Sequence, residues 1–205
     1  HARRAELEMR LSLMIEGQEG VTWDEWLALA RTAETHGIDG LFRSDHYSGI
    51  LDPERGSLDA WATLAGLAAA TSRIRLGTMV SPATFRHPSV LARMVTSVDH
   101  ISGGRVELGL GSAWYELEHR RAGFPFPDIP TRFALFSEQV EVVVRSWTED
   151  GFDFSGDHYT LEGQTAVPRP VQFPHPPLVL GGSARPRSAA LAARFAQEYN
   201  TPGAT

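Results

Sequence analysis

The sequence predicts an α/β fold, a (β/α)8-type barrel left incomplete at about six βα units. Three observations carry this expectation. Short apolar runs alternate with helical patterns along the whole chain, each run is followed by polar or glycine-rich residues, and a composition of 42% hydrophobic and 21% charged residues supplies one core. Regular alternation implies parallel strands joined by right-handed crossovers, in an open sheet or a barrel. The barrel is favoured because the polar tips would all fall on the one face that carries barrel active sites. A full eight-unit barrel takes ~250 residues, whereas 205 are present and the sixth strand begins as the chain ends.

Leu11 to Ile15 is an apolar run closed by Glu16-Gly17, a buried strand with a polar tip. Thr22 is an N-cap with Glu25 three residues on, a capping box, and Trp26, Leu27, Ala30 and Ala33 recur at helical spacing as far as His36-Gly37. Strand Ile38 to Arg43, helix Leu58 to Ala70, strand Ile74 to Val80, helix Ser89 to Ile101 and strand Arg105 to Leu110 follow, with Gly103-Gly104 stopping the second of these helices. An insertion after strand 4 then opens with a Pro- and Phe-rich loop, Gly123 to Pro130, and continues as a helix, Arg132 to Trp147, with Phe133, Phe136 and Val140 on one side. Phe152 to Thr160 alternates aromatic and polar residues around Ser155-Gly156, a hairpin signal, and five prolines from Pro168 to Pro177 suit an extended surface crossing. Leu178 to Leu180 is the fifth strand, Arg187 to Gln197 a helix, and Glu198 to Thr201 opens the sixth strand. His1 to Glu8 is polar and charged and is read as a leader or tag, with Met9 a candidate natural start and 9–205 a single domain.

Acidic residues outnumber basic ones 25 to 19, so no global positive field draws the chain to nucleic acid. Its apolar stretches fall far short of the ~20 residues that span a bilayer. The absence of cysteine excludes disulfides, thiol nucleophiles and cysteine-ligated metals, and fits a reducing, cytoplasmic setting. No His-x-His or His-Glu-x-x-His spacing is present, which argues against a metal-dependent hydrolase.

Asp45-His46 closes the second strand, where an imidazole can bind a cofactor edge or move a proton; a surface pair or a helix-capping Asp is the plainer alternative. Glu16 is either a carboxylate facing substrate or a solvated loop acid. Gly109-Leu110-Gly111-Ser112 is not a dinucleotide fingerprint, because Trp114 stands where the third glycine is required, and by itself it reads as a tight strand-to-helix turn. Gly181-Gly182-Ser183 is an ordinary turn or a set of donors. Glu116, Glu118, His119 and Arg132 either bring polar groups to the rim or form a Glu–Arg brace between the insertion and its helix, of which the brace is the favoured reading. His87 and His100 are structural, the latter near the negative end of its helix dipole, and His158 and His175 are loop residues.

Five runs stand in a characteristic order: Ser44-Asp45-His46, Thr84-Phe85-Arg86-His87-Pro88, Asp99 to Arg105 (Asp-His-Ile-Ser-Gly-Gly-Arg), Gly109 to Glu116 (Gly-Leu-Gly-Ser-Ala-Trp-Tyr-Glu) and Pro177 to Ser183. On these runs the chain, from about Met9 onward, resembles the luciferase-like flavin and deazaflavin oxidoreductases, particularly members dependent on coenzyme F-420. The resemblance implies a TIM barrel that holds a planar cofactor ring in its C-terminal mouth and transfers a hydride between the ring and a small organic substrate, without a metal. It places Asp45 and His46 beside the deazaflavin, with His46 as proton donor, acceptor or orienter and Glu16 toward substrate. Thr78, Met79 and Val80 would back the ring, with a non-proline cis peptide at Met79-Val80. Gly109, Gly111, Ser112, Ala113 and Trp114 would run along the cofactor, and Gly181, Gly182 and Ser183 would present donors in the same mouth. An FMN-dependent monooxygenase supplied by a separate flavin reductase is the second reading, and a shortened, non-catalytic flavin-binding protein the third. The seventh and eighth strands, whose loops often bind phosphate, are not found, and the open sheet edges favour a homodimer.

Overall fold

Six parallel strands follow one another in the order in which the chain makes them. The computed structural model describes residues 9–165 and 167–201, so the expected leader, His1 to Glu8, lies outside the described residues. The elements are β1 (Ser12–Ile15), α1 (Trp23–Thr35), β2 (Gly40–Arg43), α2 (Ala60–Ala70), β3 (Arg75–Thr78), β4 (Ser81–Pro82), α3 (Pro88–Ser102) and β5 (Val106–Gly111). An insertion of α4 (Glu116–Ala122), α5 (Ile129–Thr148) and an antiparallel hairpin, β6 (Phe152–Ser155) and β7 (Thr160–Gln164), precedes β8 (Leu178–Gly181), α6 (Pro186–Phe195) and β9 (Glu198–Asn200). The main sheet runs β1-β2-β3-β5-β8-β9, with β4 pairing alongside β5.

Strand alternation sorts the side chains. Leu41, Leu76, Leu108 and Leu180 pack outward with Trp26, Trp61, Trp147, Leu64 and Val140 of the helices in one core. Phe42, Gly77, Glu107 and Val179, of opposite parity, face the inside of the curve. The sheet curls into a half-barrel: Arg10, just before β1, donates to Glu107 on β5 at 3.3 Å and lies 3.9 Å from Glu198 on β9. Arg75 pairs with the same buried Glu107.

The helix boundaries have local causes. Thr22 and Glu25 form the reciprocal capping box expected for α1. His87 caps α3 by accepting the Ser89 amide at 3.3 Å, ahead of Pro88 in the first turn. One guanidinium, that of Arg105, donates to the carbonyls of Ala68, Thr71 and Ile74 and, through Nε, of Ser102. It thus serves the C-terminal ends of both α2 and α3, where the helix dipole favours a cation. The Pro-rich crossing is pinned by buried Asp99, which accepts from the Val171 and Gln172 amides at 2.6 and 3.0 Å.

Two expectations need correction. The strand read as continuous over Ile74 to Val80 breaks after Thr78; the chain kinks through a cis Met79-Val80 bond and resumes as β4. The hairpin read as Phe152 to Thr160 extends to Gln164, because Glu138 on α5 accepts the amides of Asp157, His158 and Tyr159 and so makes that segment the turn. The sequence, Glu-Leu-Glu-His-Arg-Arg-Ala, gives helix α4 no apolar stripe, and buried Glu118 and His119 hold it in place instead.

Candidate functional site

A half-open cavity of about 680 Å³ lies at the C-terminal ends of the parallel strands. Glu16 enters from β1, Ser44 and His46 from β2, Met79 and Val80 from the kink, Gly111 to Trp114 from β5, Gly181 to Ser183 from β8 and Asn200 from β9. Six separate strand ends therefore converge on one space, as the alternation predicts.

The floor is Val80. A Cβ on Gly111 would stand 2.8 Å from its Cγ2 and one on Gly181 3.1 Å from the same atom, so a side chain would collide with the valine at the first position and press on it at the second. Gly109 is tighter, since a Cβ there would come within 2.0 Å of the Thr78 carbonyl oxygen. Ala113, on the rim, has φ +70°, a left-handed conformation disfavoured for a residue with a Cβ.

His46 is the most constrained group in the mouth. Its Nδ1 lies 2.7 Å from Glu118 Oε1, while the Tyr47 amide donates to Glu118 Oε2 at 2.9 Å. Trp114 and Tyr115 stand edge-on to the imidazole, with centroids 5.7 and 6.0 Å away. Glu16 is exposed and accepts from Gln18 Nε2 at 2.6 Å; Gln18 Oε1 in turn accepts from the Ser44 hydroxyl, which ties β1 to β2 across the mouth.

Asp45, Thr78 and Gly109 do not line the cavity. Asp45 points away from it and is 1% exposed, accepting from Arg86 Nη1 at 2.5 Å and from Ser81 Oγ at 2.6 Å. The cause is parity: Ser44 and His46 face inward, so the residue between them faces outward. Thr78 has the same parity, and its hydroxyl donates to the Gly109 carbonyl at 2.9 Å. Gly109 is filled from above by the kink. The expected Glu–Arg brace is absent among the described residues: Glu118 serves His46 and Tyr47, and Arg132 lies over Phe126, 3.9 Å from its centroid.

Behind the site Arg86 also reaches Asp59 at 2.8 Å and the Tyr47 hydroxyl at 3.2 Å. Burial works to lower the Arg86 pKa, but the charge and hydrogen bonds of Asp45 outweigh it and hold it above the ordinary value. Burial pushes the Tyr47 phenol up to about 12. Burial would raise Asp59, yet the Ala62 amide and Arg86 bring it below the usual carboxylate range.

The lining is apolar at Met79, Val80 and Pro82 and polar at His46, Ser112 and Ser183. Among the described residues no cluster of His, Cys, Asp or Glu is arranged to hold a metal ion, and no helix is long and apolar enough to cross a membrane.

The sequence model of the luciferase-like monooxygenase family matches residues 9–203. The chain belongs to this family. An F-420-dependent glucose-6-phosphate dehydrogenase of Microbacterium testaceum is 31% identical over 179 residues, 87% of this chain and 52% of that protein. An FMNH2-dependent dimethylsulfone monooxygenase of Pseudomonas putida is 31% identical over 137 residues, 67% of this luciferase-like chain and 37% of the relative. Among solved structures, a Streptomyces bottropensis monooxygenase superposes with a TM-score of 0.79 at 30% identity, over 91% of this chain and 57% of that one. An F-420-dependent secondary alcohol dehydrogenase, at 23% identity and a TM-score of 0.80 over 94% of this chain and 57% of its own, shares the fold. The luciferase-like chain thus spans about half the length of the relatives it matches. Members of both cofactor classes stand among them.

Proposed function

We propose that the cavity binds coenzyme F-420 and that the chain is the deazaflavin-holding part of an oxidoreductase that moves a hydride between this cofactor and a small organic substrate. The observation that carries the reading is the apolar kink seated on Gly111 and Gly181, which shares with His46 one cavity within the usual size of a cofactor pocket. Met79 and Val80 would back the ring, Ser112 and the Gly182-Ser183 backbone would hold its polar periphery, and Glu16 would face substrate. When bound, the deazaflavin supplies the hydride chemistry. The chain's own part is to exclude water from one ring face and to hold or move a proton at His46 Nε2.

A second reading, an FMN-dependent monooxygenase fed by a separate reductase, is favoured by the dimethylsulfone monooxygenase relative. Parallel fluorescence titrations of the folded chain with F-420 and FMN test both: saturation by F-420 alone supports the first, saturation by FMN alone the second, and binding of neither rejects both.

His46→Ala is expected to lower turnover ~10²–10⁴-fold, well beyond any change in cofactor affinity, the usual range for losing a positioned acid–base group. Unchanged single-turnover rates would remove His46 from the chemistry. Strands β1 and β9 end the main sheet with no second neighbour among the described residues, and we infer a homodimer that covers such an edge. A well-folded monomer in sedimentation velocity would contradict it.

A further inference from the structure

We propose that Glu118 is a positioning residue that selects the tautomer of His46, so that the neutral imidazole carries its hydrogen on Nδ1 and turns the lone pair of Nε2 to the cavity. Glu118 is 1% exposed, and each of its oxygens has one partner. The Tyr47 amide is a donor only, so Oε2 must accept. With Oε2 taken by that amide, the proposal assigns Oε1 as the acceptor of the 2.7 Å contact and Nδ1 as its donor. Trp114 and Tyr115, edge-on to the ring, oppose its rotation, and no described protein group engages Nε2.

The helix that carries Glu118 is itself fixed. His119, fully buried, contacts the Tyr115 carbonyl through Nδ1 and the Thr84 hydroxyl through Nε2, both at 2.7 Å, which leaves its neighbour little freedom to turn away. Since 72 residues separate Glu118 from His46, the pair forms only when the insertion docks on the tip of β2. The insertion therefore supplies the group that selects the His46 tautomer.

The isosteric variant makes a sharp test. In Glu118→Gln the Tyr47 amide still requires an acceptor, so the amide oxygen is committed there and the NH2 must face Nδ1. Nδ1 then becomes the acceptor and the proton moves to Nε2, reversing the tautomer with little change in packing. Nitrogen-15 spectra of the imidazoles at mildly alkaline pH read this directly, with the His46 signals assigned by their loss in His46→Gln. The expected result is a protonated Nδ1 in the wild-type chain, the reverse in Glu118→Gln, and retention of the wild-type pattern in Glu118→Asp. A protonated Nε2 in the wild type, or an unchanged pattern in Glu118→Gln, would overturn the proposal.

The consequence for turnover rests on the oxidoreductase reading, whereas the tautomer does not. With cofactor bound, Glu118→Gln should lower kcat ~100-fold or more at unchanged cofactor Kd, as a wrong tautomer does in other histidine–carboxylate pairs. Unchanged kcat beside a reversed tautomer would refute the catalytic consequence. If the wild-type chain binds neither cofactor, the functional reading fails and the nitrogen spectra still decide the pair.

Discussion

Gly109→Ala is expected to leave little folded protein. The added Cβ would lie 2.0 Å from the Thr78 carbonyl oxygen and 2.9 Å from its carbon, both backbone atoms that no rotamer change can move. Retreat of the strand is blocked as well, since the Thr78 hydroxyl donates to the Gly109 carbonyl and β3 pairs with β5 through Leu76 and Gly77. A clash of this kind belongs to the exceptional class of substitutions costing more than ~4 kcal/mol, a large part of a typical domain stability of ~5–15 kcal/mol. Gly56→Ala is the matched control, because a Cβ there meets nothing within 4 Å. Denaturant midpoints for the two variants check the argument, and a Gly109→Ala midpoint close to that of the control would refute it.

Asp45→Ala should be nearly as costly. Arg86 is 8% exposed and would keep its bond to Asp59, but the substitution removes its buried partner and takes away the acceptor of the Ser81 hydroxyl. Breaking a buried pair from one side typically costs ~3–5 kcal/mol, because the remaining charge is left without compensation. The guanidinium cannot easily follow solvent, since Gln139 on α5 holds the Arg86 carbonyl at 2.7 Å. Replacing both members, Asp45→Ala with Arg86→Met, is expected to recover much of the loss. Thermal unfolding of the two single variants and the double variant closes the cycle. Additive losses would mean that the pair is not a coupled unit.

The strands were legible because short apolar runs ending in polar residues have few other uses, and the capping box at Thr22 and Glu25 marked α1 directly. Much of the mouth was legible too: Glu16, His46, Met79, Val80 and the glycine–serine turns all meet there. Asp45 and Thr78, which the resemblance set beside the ring, lie outside the cavity lining because strand parity turns them outward. Counting alternate residues from Leu41, which packs outward, sends Arg43 and Asp45 to the same side. Glu118 stood among the polar residues available to the rim, but its partner was not legible, since that partner lies on another strand end and α4 has no apolar periodicity. Contacts made by one carboxylate across 72 residues leave no pattern in the segment that carries it.

The three glycines under the kink differ in what confines them, and this bears on which sequences the site tolerates together. Gly111 and Gly181 are limited by the methyls of one side chain, Val80, whereas Gly109 is limited first by backbone. Trimming Val80 to alanine therefore frees the first two positions and leaves the third closed. Residues 80, 111 and 181 form an epistatic set, in which a change at one alters the cost of change at the others. Library design around the mouth should vary these three jointly and hold position 109 constant.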